Sequence, residues 1–276
     1  MKLKTLIFGL FILTSSQLRA QTGVDSLFSN NQVLLVQVVE ITPEAVKYTY
    51  PGEEVINSMY KNAVDKIVFK SGRVQVFQEA TSFKTVAGPQ DWENVSLARV
   101  ESEVKGLFKL EEVSSKAKGT TPLANVNKVK DRAYKKLKME AAMLGANVVY
   151  VFNEDVEGNR FYDESGNPAE TSISGIAYTS KLPSIQDFEK MIGENSDFIF
   201  AQKLYLGNNN VEIQAEVIAP GRVRIEEVIH EQGLIFVKTR ILGEKSDRFR
   251  VIQFDEKQVT LMYRDKNKIY NLVLRR

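Results

Sequence analysis

The sequence predicts a mostly β protein of the α+β class, on three observations. Runs rich in Val, Ile, Phe and Tyr alternate with polar residues along most of the chain. Only residues 125–144 repeat their apolar side chains over a long stretch at spacings of three and four, as one face of a helix requires. Gly, Asn, Asp and Pro punctuate the rest at the short intervals of strand-turn-strand chains. The expected organisation is a signal peptide over residues 1–20, an antiparallel β module over 21–80, and a helix-on-sheet α+β domain over 90–182. An antiparallel barrel or sandwich follows over 183–276.

The first twenty residues set the compartment. Lys2 and Lys4 precede the apolar run from Leu6 to Leu13, and Ser15, Ser16 and finally Ala20 supply small residues for a signal peptidase. The run falls short of the about 20 apolar residues that cross a bilayer, and no later segment is apolar enough. The expected product is exported, with no transmembrane span after cleavage. A cut after Ala20 removes Lys2, Lys4 and Arg19, turning 37 basic and 35 acidic residues into 34 and 35. A near-neutral chain without a basic stripe is not built for nucleic acid.

Residues 32–39 and 45–50 read as strands about the turn at Thr42-Pro43-Glu44, and 64–69 and 73–77 as a hairpin about Lys70-Ser71-Gly72. Together they predict a four-stranded antiparallel sheet. The stretch from Gln32 to Phe77 resembles a short β module of uncharacterised exported bacterial envelope proteins, through Glu40-Ile41, Val46-Lys47-Tyr48 and Ile67-Val68-Phe69 before Gly72. That resemblance brings no catalytic residues with it.

After Trp92, residues 95–100 and 101–104 alternate, and the helix follows with Val126, Val129, Ala133, Leu137, Ala141 and Leu144 on one face. Gly145 is expected to close it in the left-handed conformation, and 147–152 reads as a buried strand. The passage Ala141-Ala142-Met143-Leu144-Gly145-Ala146-Asn147 resembles the Ala-Ala-x-x-Gly-Ala-Asn signature of small bacterial envelope domains. Among these are the YbjQ-like family, named for heavy-metal binding, and the sensing domain of the Rcs stress-response lipoprotein. The resemblance implies a helix lying across a sheet; the thiol-based features of such relatives have no counterpart in a chain without cysteine.

An acidic stretch follows, Asn153 to Asn159 and Asp163 to Glu170. It reads either as oxygen ligands for calcium or as two solvated hairpin ends, and its spacing does not match the regular calcium loop. Residues 160–162 and 171–178 are expected to add strands. In the last segment, 184–191 reads as a short helix stopped by Gly193. Seven strands follow: 198–206, 211–218, 223–229, 234–241, 249–254, 259–263 and 269–274. Phe200, Tyr205, Phe236, Phe254, Tyr263 and Tyr270 are expected core residues, although a small barrel can also enclose a ligand.

Chemistry is sparse. Without cysteine there are no disulfides, thiolate nucleophiles or sulfur-ligated metals. The single histidine, His230, leaves one imidazole for any triad and reads as a strand-end residue. Glu226 and Glu227 are adjacent, so a strand turns them to opposite faces. No phosphate-cradling glycine loop or nucleophile elbow is present, and no residue is assigned a catalytic, cofactor-binding or metal-ligating role. The expectation is a non-catalytic cell-envelope protein, an interaction or structural module for another envelope protein or component. The alternative is a binding protein for a small apolar or glycan ligand in the C-terminal β domain. A carboxylate-dependent hydrolase with acid and base distant in sequence ranks third.

Overall fold

The computed structural model describes residues 23–30, 32–77, 83–121, 124–157, 168–207 and 210–276. The signal-peptide segment lies outside them, as do residues 158–167, which include the expected strand at 160–162 and part of the acidic stretch. The described residues are mostly β, arranged in three sheets with two α-helices.

The first sheet has six strands rather than four, in the order β4-β3-β2-β1-β5-β6. They are β1 (Asp25–Ser29), β2 (Gln32–Ile41), β3 (Ala45–Thr49), β4 (Asn57–Tyr60), β5 (Lys66–Val68) and β6 (Val74–Val76). β1 and β4 are too short and polar to announce themselves in sequence. The first half of β2, residues 32–36, pairs with β1 and the second half, residues 37–41, with β3, the second ladder carrying a register shift between Val38 and Glu40. The buried carboxylate of Asp25 steadies that passage, accepting from the Val38 amide at 2.9 Å and the Lys70 amide at 2.8 Å. Leu27, Val36, Val46, Tyr48, Val64 and Ile67 form a core of the module's own.

The second sheet runs β7-β9-β10-β8, with β7 (Ser96–Ala98), β8 (Phe108–Lys118), β9 (Val148–Glu157) and β10 (Glu170–Thr179). β7 and β9 are parallel and the other pairs antiparallel. The alternation at 101–104 is a 3₁₀ turn, Glu101–Glu103, and not a strand. The strand is β8, which among the described residues pairs only with β10 and buries only Val113 and Ser115, so it carries too little apolar signal to be read. The helix α1 (Val126–Met143) begins on Asn125, whose side chain accepts from the Lys128 amide. It ends in a Schellman closure, with Gly145 at φ +73° and the bonds Ala146 N–H to Ala141 O and Gly145 N–H to Ala142 O.

After the helix α2 (Ile185–Glu194), which runs through Gly193 instead of stopping there, comes the third sheet. Its strands are β11 (Asp197–Gly207), β12 (Gln214–Glu216), β13 (Gly221–Arg224), β14 (Glu227–Glu231), β15 (Leu234–Lys238), β16 (Arg248–Phe254), β17 (Gln258–Asp265) and β18 (Lys268–Arg275). The order β12-β11-β18-β17-β16-β15-β14 is open, with β13 pairing β11 beside β12, so the ladder does not close as a barrel. The expected strand at 223–229 is broken at Ile225-Glu226. Its first part pairs with β11 and its second with β15, which curls the sheet upon itself. Phe198, Phe200, Ile235, Phe249, Leu261 and Leu272 fill the interior, and Phe188 of α2 packs among them. Phe236 departs from expectation: it stands on the opposite face, under the Arg248 guanidinium, because its neighbours Ile235 and Val237 take the inward positions.

One apolar core spans the second and third sheets. Ala133, Leu137, Met139, Ala142 and Met143 of α1 pack with Val149, Val151 and Ile173, and with Leu204, Leu206, Met262 and Ile269 from the third sheet. The helix is thus buried on two sides, which explains why Met139, Ala142 and Met143 are covered beyond the single stripe that the sequence shows.

Candidate functional site

Directly paired strand residues share a face of a sheet, so the register of the first sheet builds a surface residue by residue. One row runs Val76, Lys66, Phe28, Val33; the next runs Val74, Val68, Ser26, Leu35. These side chains point away from the Leu27 core. Val33 is 51% exposed, Leu35 55%, Val74 54% and Val76 52%, while Lys66 lies 4.5 Å over the Phe28 ring. β-Branched residues satisfy the strand backbone, yet at these positions they leave contiguous apolar surface in water. The face ends at β6, a sheet edge with no further strand paired to it among the described residues.

A second feature is a cleft of about 550 Å³ where the three sheets' segments meet, lined among others by Lys61, Asn62, Asn147, Ser180, Asp187 and Gln253. Its central polar groups bond to each other. Asn147 Nδ2 donates to Ser180 Oγ at 2.7 Å, and the Ser180 amide returns to Asn147 Oδ1 at 3.1 Å. This exchange ties the end of β10 to the turn after α1.

Comparison with protein-family models, curated proteins and solved structures finds no match to this chain. The residues must therefore speak for themselves. His230 sits half-exposed on β14, 3.5 Å from Glu189 of α2, with no second imidazole to join it. Glu226 lies at the bend before β14 and Glu227 faces Lys238 at 3.2 Å, so the two carboxylates do not converge.

The described part of the acidic stretch is mostly strand rather than loop, and two of its carboxylates, Glu154 and Glu170, are paired with cations. Glu154 binds Arg99 at 3.1 Å, the Tyr134 hydroxyl at 2.6 Å and the Lys130 ammonium. Burial alone would raise its pKa, but the bonds from Lys130, Tyr134 and Arg99 prevail and hold it at about 2. Glu170 pairs with Lys116 and Lys118 across the β8–β10 ladder. Among the described residues no group of three or more His, Cys, Asp or Glu side chains stands ready for a metal.

Sequence reasoning missed a buried cluster inside the curled third sheet. A register shift between Phe200 and Gln202 flips the alternation of β11, so that Lys203 and Tyr205 turn inward where simple alternation would send them out. The Lys203 ammonium then meets Glu244 at 2.8 Å and Glu216 at 3.2 Å, over the Tyr270 ring. Burial lowers the lysine pKa, but the hydrogen bonds it donates to Glu244 and Glu216 outweigh it and keep the ammonium charged above its usual range. The Tyr263 hydroxyl donates to the same Glu244, and burial together with that carboxylate drives its pKa well up. Lys203 and Glu244 lie 41 positions apart, and no local pattern joins them. A protonated lysine held by two carboxylates anchors the 242–247 loop to β11.

Proposed function

We propose that the protein is an exported, non-catalytic cell-envelope protein that works as an interaction module, docking another envelope protein through the outer face of its first sheet. The observation that carries this reading is the exposed apolar face of Val33, Leu35, Val74 and Val76 beside an open strand edge. An exposed apolar patch costs solubility unless a partner covers it, and an edge strand offers backbone groups that a partner strand can pair. Export rests on the N-terminal sequence, with its basic start, short apolar run and small residues at the cut. Among the described residues no helix is long and apolar enough to cross a membrane. A ligand held inside the third sheet finds less support, because the large side chains of Phe198, Phe200, Phe249, Leu261 and Leu272 fill that interior.

The cysteine-free chain makes the test direct. A single cysteine at Leu35, carrying a photo-crosslinker, is expected to yield one discrete protein adduct in intact envelopes, and a cysteine at Lys257, in the turn between β16 and β17, none. Leu35→Glu should abolish the docking while leaving the melting temperature unchanged, since the site is exposed. Equal adducts from both positions, or undiminished docking by Leu35→Glu, would remove this face from consideration.

A further inference from the structure

The third sheet carries a cationic pocket that the interaction reading does not use. The ladders β13–β11 and β11–β18 place Arg222 and Arg275 in one row, each directly paired with Ile199. Directly paired residues share a face, and Ile199, 50% exposed, shows that this is the solvent face. Two strand spacings, roughly 10 Å, separate the two arginine backbones, a gap that their side chains span from both sides. A shallow pocket of about 270 Å³ opens here, lined by Arg222, Arg224, Arg275, Arg276, Asp197 and Ile199 among others.

These four guanidiniums are not equivalent. Arg224 is held bidentate by Asp197, at 2.8 and 2.7 Å. Arg276 donates to the backbone oxygens of Met191 and Asn195 at the end of α2, at 2.7 and 3.1 Å. Arg222 and Arg275 make no side-chain hydrogen bond or ion pair with the described residues. Several arginines elsewhere meet carboxylates, Arg99 with Glu154, Arg248 with Glu231, and Arg250 and Arg264 with Glu111, whereas among the described residues single exposed arginines such as Arg240 stand apart; Arg222 and Arg275 differ from these in sharing one pocket. In this pocket one side-chain carboxylate, that of Asp197, faces four guanidiniums, and it is engaged by Arg224. Clustered like charges repel and persist most readily where an anion offsets them.

We infer that Arg222 and Arg275 form a binding site for a phosphate monoester, gripping its oxygens from both sides above Ile199. The planar guanidinium fork matches phosphate oxygens bidentately. Two guanidinium charges match a dianion better than a carboxylate, and the apolar Ile199 floor suits the carbon group that the ester carries. Arg224 and Arg276, already engaged, frame the site and add to its field.

The test uses the full chain and an amide-resonance titration with inorganic phosphate, alongside co-sedimentation with phosphatidylcholine vesicles that contain or lack phosphatidic acid. Phosphate is expected to shift resonances around Ile199. The double variant Arg222→Gln/Arg275→Gln should bind about tenfold or more weakly, as loss of charge-assisted hydrogen bonds implies. Arg222→Lys/Arg275→Lys, which keeps the charge but not the fork, should fall between, and the exposed Arg240→Gln should bind like the parent. All three substituted positions are exposed, and unchanged melting of each variant checks that the fold is intact. Binding of free phosphate without preference for phosphatidic acid supports the site with a soluble ester as its ligand. Vesicle binding lost in the Gln variant supports it with a lipid headgroup. No binding of either, equal binding by the Gln variant, or acetate binding as tightly as phosphate would overturn the inference.

Discussion

At the residue scale, Glu154 gives the clearest link between structure and pH. Its carboxyl titrates at about 2 in the folded protein, against roughly 4.3 for an unperturbed glutamate. A depressed folded pKa contributes stability that is fully present above the unfolded value and lost as pH falls through the folded one. Glu154→Gln is therefore expected to cost about 1 kcal/mol at pH 7, after allowance for solvent screening of its exposed partners. The difference should be the same at pH 6 and shrink steadily between about pH 4 and 2. Urea unfolding of parent and variant at pH 7, 6 and 3 measures it; a gap that stays constant to pH 3 would show that the cations around Glu154 contribute nothing net. Gly145 offers a test of backbone rather than charge. A Cβ there would lie 3.2 Å from Ile252 Cβ and 3.4 Å from its carbonyl oxygen, on a residue already at φ +73°. Gly145→Val should lose roughly 1 kcal/mol or more, and unchanged thermal melting would contradict the assigned helix end.

At the element scale, the end of α1 is where the second and third sheets join. The carbonyls left over at a helix C-terminus need donors, and the negative end of the helix dipole favours a cation. Arg250 of β16 supplies both, its Nη2 donating to Leu144 O at 2.6 Å, and Asn271 of β18 donates to Met143 O at 3.0 Å. Arg264 adds a bond to Glu140 on the preceding turn at 2.9 Å and another to Glu111. Arg250 is 5% exposed, whereas the Arg264 side chain is 35% exposed. Arg250→Met should accordingly cost roughly 2 kcal/mol, and Arg264→Ala clearly less. The reverse order in chemical denaturation would mean that the surface ion pairs, and not the buried cap, hold the two parts together. Much of α1 was legible in the sequence: its apolar spacing, its Asn125 start and its Gly145 stop all act within a few residues. Its second buried side was not, because Met139, Ala142 and Met143 are covered by strands more than fifty positions further on. The same contrast separates the hairpin β5–β6, whose Gly72 turn is local, from β8, a mostly polar edge strand whose only fully buried residues are Val113 and Ser115. The inward turn of Lys203 depended on a bulge that side-chain alternation does not encode, while the apolar outer face of β2 was present as a run of Val and Leu but gave no sign of which side would be left bare.

At the scale of the whole molecule, the distribution of cores predicts how the protein comes apart. The first sheet encloses Leu27, Val36, Val46 and Ile67 among its own strands. Among the described residues its ties to the rest include hydrogen bonds, with Asn30 Oδ1 accepting from the Leu182 amide at 2.8 Å and Asn62 donating to the Glu103 and Lys105 carbonyls at 3.3 Å, and the packing of Tyr60 against Gly106, but no shared apolar core. The second and third sheets, by contrast, share the continuous core around α1, so neither can unfold without exposing apolar surface of the other. Cooperativity follows shared apolar burial more closely than it follows scattered surface hydrogen bonds. Calorimetry should therefore resolve two transitions, one for residues 23–77 and one for the remainder. Leu27→Ala and Leu137→Ala each empty a fully buried site and should each cost about 2–5 kcal/mol. The first should lower only one transition and the second only the other. A single transition that both substitutions lower equally would mean that the polar ties at Asn30 and Asn62 couple the first sheet to the rest as tightly as a common core would.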